Sequence, residues 1–250
     1  MVGKFNVLRM AQPEISIVAD PAALAAEAAK RIATAAQESI KASGAFTIAL
    51  SGGNTPRAVF ELLSEEPWKS QIDWSKWEVY FGDERCVPPE HADSNYRMAS
   101  ESLLSRVPIA GEKIHRMRGE LAPAEAAKEY GQMLKQRFGD GGLDLVMLGM
   151  GDDGHTASLF PGTAALAETH HRCVANYVEK LKTWRITMSA PFINRSARVM
   201  ILAAGAGKSA RIDEVLKGPG DPQRLPIQMI APAGRLWWIL DRAAAADIGD

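Results

Sequence analysis

The chain has 250 residues and is 46% hydrophobic, which is enough to bury the core of one large domain. Its 29 basic residues nearly balance its 30 acidic ones, and this balance argues against a nucleic-acid or anionic-membrane partner. The two cysteines are too few for a disulfide framework and are typical of buried thiols in a reducing compartment.

No targeting or membrane-spanning segment is predicted. Residues 1–12 lack the continuous apolar core of a signal peptide, because Lys4 and Arg9 interrupt it. The longest apolar runs, residues 199–204 and 236–240, are too short to cross a bilayer. We therefore expect a cytoplasmic protein.

Apolar runs alternate with helical stretches along the chain. Strands are predicted at residues 15–18, 46–50, 77–81, 143–148, 172–175, 186–189 and 198–202. Helices are predicted at residues 22–42, 56–63, 94–106, 123–138 and 208–216. Strands separated by helix-length segments favour a mostly parallel, Rossmann-like sheet with helices on both faces, in a single α/β domain of residues 1–250. The first helix has clear end signals, with Asp20 as its cap, Pro21 in its first turn and Gly44 beyond its end.

A glycine-rich loop follows the strand at residues 46–50. Thr55 is predicted to cap the next helix, and Pro56 suits its first position, where no amide hydrogen is needed. A strand, a glycine-rich loop and a helix start together offer unpaired backbone N–H groups to an anion, and phosphate is the expected ligand. An ordinary strand-to-helix turn is the alternative. The candidate anion-binding residues are Ser51, Gly52, Gly53, Asn54 and Thr55.

Three charged residues, Asp83, Glu84 and Arg85, come shortly after the strand at residues 77–81. They are either a solvated loop or part of the same crevice as the glycine-rich loop. In the crevice, the planar fork of Arg85 would pair with a phosphate, a carboxylate or a carbonyl that gains negative charge.

Residues 148–161 are the most informative segment, because they place His155 in a glycine-rich turn directly after a buried strand. Ligands bind at this end of the strands in open α/β sheets. Asp153, two residues earlier, is close enough to orient the imidazole. A histidine that is merely hydrogen-bonded within its loop is the alternative interpretation.

Lys208 lies in a further glycine-containing segment, residues 205–209, after the strand at residues 198–202. The segment matches the end of a nucleotide-binding P-loop, but that pattern requires a glycine where this chain has Leu202, which argues against an NTPase. At a helix start, Lys208 supplies either a point charge to a phosphate or only a solvated surface charge.

Several other kinds of catalytic site are not indicated. No metal site is predicted, because the remaining histidines lack ligand spacing and no cysteine pair completes a metal set. Cys86 lacks a motif that would make it a nucleophile, and Ser158 lacks the G-x-S-x-G elbow of serine hydrolases. The histidines concerned are His91, His115, His170 and His171.

Taken together, these motifs resemble the glucosamine-6-phosphate isomerase/6-phosphogluconolactonase family, and within it the 6-phosphogluconolactonases. The resemblance covers nearly the whole chain in ordered blocks with compatible spacing. The strongest blocks are residues 50–56, 81–85, 94–96 and 149–161, and weaker ones are residues 185–189, 205–208 and 237–241.

The resemblance implies hydrolysis of 6-phospho-D-glucono-1,5-lactone to 6-phosphogluconate in the oxidative pentose phosphate pathway. His155 would act as a general base on water and Asp153 would hold its tautomer. The resemblance also implies that Arg185 is a cation on the substrate side of the site and that Lys208 supplies a charge to the phosphate, while Asp83 is a candidate acceptor for sugar hydroxyls. The sequence leaves open which of Arg85, Arg185 and Lys208 binds the phosphate and which binds the lactone carbonyl. No cofactor, metal, nucleic acid, membrane or obligate protein partner is expected.

Two alternatives are kept. Glucosamine-6-phosphate deaminases resemble this chain in fold, phosphate loop and histidine turn, but they carry a glutamate where this chain has Phe160 and a D-E-Y sequence in place of Asp83-Glu84-Arg85. The second alternative is a non-catalytic sugar-phosphate sensor, which would not need His155 and Asp153.

Overall fold

A computed structural model describes residues 13–248 of the chain. The strands are β1 Glu14–Val18, β2 Phe46–Leu50, β3 Trp77–Phe81, β4 Asp83–Arg85, β5 Leu145–Gly149, β6 Cys173–Val178, β7 Thr183–Met188, β8 Arg198–Ala203 and β9 Arg235–Asp241. The helices are α1 Pro21–Ser43, α2 Asn54–Leu63, α3 Trp68–Gln71, α4 Asn95–Ala99, α5 Pro123–Phe138, α6 Ala190–Ile193 and α7 Ser209–Lys217. The prediction that no signal peptide is present concerns residues 1–12, which lie outside the described part.

Six strands form one parallel sheet in the order β1-β9-β8-β5-β2-β3. Alternate residues of a strand point to opposite faces, so each central strand contributes to two cores. In β2, Ile48 and Leu50 pack with α1 and α2, whereas Ala49 belongs to the core under α5 and α7. The predicted α/β fold class, with helices on both faces of a parallel sheet, is therefore confirmed.

The ends of α1 agree with the sequence signals. The Asp20 side chain accepts a hydrogen bond from the Ala23 N–H at 2.9 Å, and Gly44 ends the helix with φ of 83°. A left-handed residue after the last turn favours glycine. The buried side of this long helix packs against one face of the parallel sheet.

A second, smaller sheet was not predicted. Strands β4, β7 and β6 pair antiparallel in that order, and the core under α5 includes Ile186 and Met188 from β7. Two predicted strands, residues 172–175 and 186–189, belong to this sheet and not to the parallel one. Asp83–Arg85 is also a strand, because its backbone pairs with β7 in spite of its charged side chains.

The order of the parallel strands creates a crevice between β2 and β5, at the carboxyl ends of the strands. From β2 the sheet continues to β3 on one side, and from β5 it continues to β8 on the other. The loops after β2 and β5 therefore diverge at the carboxyl ends of adjacent strands, the place where ligands bind in such sheets. Among residues 13–248, no helix has the length and apolar character needed to span a membrane.

Candidate active site

His155 lies in the tight turn after β5 and is held there by Asp153. The Asp153 Oδ1 atom lies 2.5 Å from Nδ1 of His155 and also accepts the His155 backbone N–H at 3.2 Å. A side chain at Gly151 would overlap the imidazole, and Gly154 has φ of 77°, so the turn requires both glycines. Within residues 13–248, Nε2 of His155 has no hydrogen-bond partner, which leaves that nitrogen available to a ligand.

Asp153 is a carboxylate at neutral pH. Burial raises its pKa, but hydrogen bonds from Lys180 and His155 outweigh the effect and lower the pKa to about 2. The other face of the site is apolar: the buried ring of Phe160 stacks on the imidazole with 4.0 Å between ring centroids and 20° between planes. The imidazole is therefore fixed by a charge at Nδ1 and by a ring against its face.

A cavity of about 270 Å³ brings together four of the predicted site residues: His155, Asp83, Arg85 and Arg185. The remaining lining side chains come from the turn after β5 that carries His155, called the histidine turn below, and from the tip of the β6–β7 hairpin. They are Ala157, Ser158, Phe160, Lys180 and Leu181.

Asp83 is 7% exposed, and neighbouring side chains already use its carboxylate. Its Oδ2 accepts the Ser158 hydroxyl at 2.6 Å, and the Asn95 amide donates to its backbone oxygen at 2.9 Å and to Oδ1 at 3.3 Å. Asp83 thus lines the cavity and also joins β4, α4 and the histidine turn.

Arg85 and Arg185 are paired residues on the adjacent strands β4 and β7. Arg85 donates from Nη1 to the Asp93 carbonyl at 2.7 Å. Nε and Nη1 of Arg185, and Nε of Arg85, are buried without a hydrogen-bond partner among the described residues. Burial lowers the pKa of Arg185, and the positive charge of Arg85 lowers it further. Two adjacent guanidinium groups with unused N–H groups form a strong potential anion site.

The loop after β2 borders a second cavity of about 340 Å³, which Gly53, Asn54 and Arg85 help to line. Because Arg85 lines both cavities, they are neighbours. Gly53 has φ of 105° and its carbonyl accepts the first helical hydrogen bond, from the Arg57 N–H at 3.1 Å. The predicted cap at Thr55 is therefore wrong: α2 begins at Asn54 with Gly53 as its cap, because only glycine adopts this φ without strain.

Ser51 and Gly52 support this loop from within. Ser51 is 7% exposed, and its hydroxyl is directed to the neighbouring Gly52 carbonyl at 3.5 Å. A side chain at Gly52 would overlap the Asn95 amide, so the loop is packed against α4. Neither Ser51 nor Thr55 is among the residues that line the two cavities.

Lys208 does not line either cavity, and its ammonium group is paired with Asp152 in the histidine turn. The Asp152 side chain is 84% exposed, so this ion pair contributes little and costs little to exchange for another anion. The loop before Lys208 is anchored where the Gly205 N–H donates to the buried Asp241 carboxylate at 3.0 Å.

Sequence reasoning missed Lys180 as a contact of Asp153 and Phe160 as a partner of His155. Lys180 belongs to no motif, and a lysine near a strand end is usually solvated. Asn95 was part of a recognised block, but its contact with Asp83 depends on the fold. Among residues 13–248, no group of three or more histidine, cysteine, aspartate or glutamate side chains is arranged to hold a metal ion.

The fold and site define an α/β protein with a ligand cavity at the carboxyl edge of a parallel sheet. The family model of glucosamine-6-phosphate isomerases/6-phosphogluconolactonase matches residues 19–238, and the chain belongs to this family. A 6-phosphogluconolactonase of Nostoc sp. (strain PCC 7120 / SAG 25.82 / UTEX 2576) is 40% identical over 240 residues, which cover 94% of this chain and 98% of that protein.

Two further relatives agree with this assignment. A 6-phosphogluconolactonase of Synechocystis sp. (strain ATCC 27184 / PCC 6803 / Kazusa) is 37% identical and matches 94% of this chain and 98% of its own length. The solved structure of the 6-phosphogluconolactonase from Trypanosoma cruzi superposes with a TM-score of 0.84 at 28% identity, covering 97% of this chain and 100% of that chain. The resemblance inferred from the sequence motifs is confirmed.

Proposed function

We propose that this chain hydrolyses 6-phospho-D-glucono-1,5-lactone to 6-phosphogluconate. The names of its relatives support this substrate. The observation that carries the proposal is His155, held by Asp153 through Nδ1, in one cavity with two arginines that have unused N–H groups. That arrangement offers a base for water and positive charge for an anionic substrate.

The chemistry requires few groups, because a lactone carbonyl is already electrophilic. Nε2 of His155 takes a proton from a water molecule as the water oxygen bonds to the carbonyl carbon. The tetrahedral intermediate then expels the ring oxygen, which receives a proton from the imidazolium, and the product is a carboxylic acid that ionises. Asp153 keeps the proton of the neutral imidazole on Nδ1 and stabilises the imidazolium.

For the phosphate, we propose Arg185 as the principal ligand. Two of its N–H groups are buried without partners, and the dianion would relieve the repulsion between Arg185 and Arg85. Gly53, at the N-terminus of α2, lines the neighbouring cavity that Arg85 also borders, and we propose that backbone N–H groups at this helix start are a second source of donors for the phosphate. Lys208 contributes after exchanging its exposed ion pair with Asp152 for the phosphate.

Arg85 has a different proposed role, because Asp93 already holds one of its Nη atoms and it lies between the two cavities. From there it stabilises the negative charge that develops on the lactone carbonyl oxygen. Phe160 excludes water from one face of His155. The proposal requires no metal ion and no covalent intermediate.

Three assays on the purified chain test the proposal. We expect hydrolysis of 6-phosphogluconolactone above its spontaneous rate, and no ammonia release from glucosamine 6-phosphate. Treatment with EDTA should leave the rate unchanged. Ammonia release would instead favour the deaminase, and binding of 6-phosphogluconate without turnover would favour the sensor. A loss of activity with EDTA that a divalent ion restores would contradict the metal-independent mechanism.

A further inference from the structure

Lys180 connects the β6–β7 hairpin to the turn that carries His155. It lies in the short turn Glu179–Leu181 between the two strands. Its ammonium group donates to Oδ2 of Asp153, while Oδ1 of the same carboxylate lies against Nδ1 of His155. The carboxylate is thus shared between the imidazole and the ammonium, one oxygen each. The two partners of Asp153 come from different parts of the chain.

Lys180 also contacts Phe160, the residue whose ring stacks on the imidazole. The Lys180 nitrogen lies 5.3 Å from the ring centroid of Phe160, within the range of a cation–π interaction. Phe160 in turn stacks on His155 at 4.0 Å. Lys180 therefore contacts both groups that hold the imidazole in place, Asp153 and Phe160.

We propose that Lys180 is a positioning residue: it fixes the Asp153 carboxylate, and through it the ring of His155, and it ties the hairpin tip to the catalytic turn. This inference rests on the proposed role of His155 as the base. A carboxylate with a second fixed partner loses rotational freedom, so a larger fraction of molecules holds the imidazole in the productive orientation.

The charge of Lys180 also acts on His155. A cation on the shared carboxylate weakens the attraction of that carboxylate for a proton on the imidazole, and so favours the neutral base. The lowered pKa of Asp153 agrees with this contact, because the hydrogen bond from Lys180 is one of its causes, beside that from His155. The other charged groups that line the cavity or belong to the turn are Asp83, Arg85, Arg185 and the Asp152–Lys208 ion pair.

The test compares Lys180→Met with Lys180→Arg, and with Lys182→Met as the matched control. Lys182 lies two residues along the same hairpin but lines a different cavity. Lys180→Met should lower kcat about tenfold with KM changed less than about threefold, since orientation is lost while substrate contacts remain. The acid limb of its pH profile should move to higher pH. Lys180→Arg should restore kcat and the profile, and Lys182→Met should match the wild type.

A second readout does not depend on the reaction. In labelled protein at one fixed pH, the ring signals of His155 should shift or broaden in Lys180→Met, because the carboxylate that holds the ring loses a partner, and they should match the wild type in Lys182→Met. Unchanged His155 ring signals in Lys180→Met would overturn the inference even if the chain is a lactonase, whereas changed signals in a chain without lactonase activity would refute only the proposed function. A rise in KM for the phosphorylated lactone alone, with no pH effect, would show Lys180 to be a phosphate ligand and would also overturn the inference.

Discussion

Arg185 is the residue whose unmet hydrogen-bonding capacity most clearly indicates an anionic ligand. Its burial without partners at two nitrogens carries a desolvation cost that a bound phosphate would offset. Lys208 differs, because an exposed carboxylate already neutralises it. Both cations are therefore expected to contribute to binding, but Arg185 to contribute more.

Kinetics of one variant of each residue, on the phosphorylated and the unphosphorylated lactone, separate these two contributions. Arg185→Ala should raise KM for the phosphorylated lactone about 10- to 100-fold, because it removes a charge-assisted contact of about 1.5–3 kcal/mol. Lys208→Ala should raise this KM less. Neither change should affect unphosphorylated gluconolactone by more than about threefold. Steady-state kinetics on both lactones check this, with Lys128→Ala, outside the site, as the control. An equal loss on both substrates would place the phosphate elsewhere.

The sequence indicated some site residues and missed others for identifiable reasons. His155 and Asp153 are two residues apart in a glycine-rich turn, so local geometry alone predicts their contact. The contact between Lys180 and Asp153 spans 27 positions and depends on how the hairpin folds over the turn. Lys208 was placed correctly at a helix start, but its pairing with Asp152 depends on the same tertiary arrangement.

At the level of elements, β4 and α4 are joined by the buried Glu84, which is 2% exposed. Its carboxylate accepts the backbone N–H groups of Arg85, Asn95 and Tyr96 at 2.7–2.8 Å, and the Ser94 hydroxyl at 3.1 Å. Burial raises the pKa of Glu84, although these backbone donors favour its charged form. This one side chain therefore fixes the start of α4, from which Asn95 reaches Asp83.

We expect Glu84→Gln to lower the free energy of unfolding by about 1–3 kcal/mol, because the amide NH2 group would face donors in place of an acceptor. Urea unfolding measures this, with the exposed Glu90→Gln as the control. Lactone hydrolysis should also fall, since Asn95 and Asp83 would lose their support. Wild-type stability in Glu84→Gln would show that the carboxylate does not hold α4.

Element prediction succeeded where burial dictated the pattern. The fully buried β2 lies at the predicted residues because a short apolar run followed by glycines is typical of a buried parallel strand. No strand is predicted at the charged segment Asp83–Arg85, because strand propensity is low for such residues and only the pairing with β7 makes them a strand.

For the whole molecule, carboxylates with lowered pKa values predict how stability depends on pH. The pKa of Glu120 is lowered to about 2 chiefly by its hydrogen bond with Arg116, and those of Asp153 and Glu168 are also about 2, since their hydrogen bonds outweigh burial. The ordinary values are 3.8 for aspartate and 4.5 for glutamate. These groups bind protons more weakly in the folded state, so their stabilisation is complete above about pH 5 and disappears towards pH 2.

Urea unfolding between pH 7 and pH 2 should therefore show a free energy of unfolding that declines below about pH 5. The double variant Glu120→Gln and Glu168→Gln should lose stability at pH 7 and show a shallower decline. A stability that rises as the pH falls through this range would contradict the assigned ion pairs.

The turn after β5 carries His155, and the tip of the β6–β7 hairpin packs on that turn through Lys180. We propose that this imidazole activates water. The most direct measurement is kcat/KM of His155→Ala for 6-phosphogluconolactone, corrected for spontaneous hydrolysis. We predict a loss of about 10²- to 10⁴-fold, with 6-phosphogluconate binding and the thermal unfolding midpoint nearly unchanged. A rate close to that of the wild type would contradict the assignment of His155 as the general base.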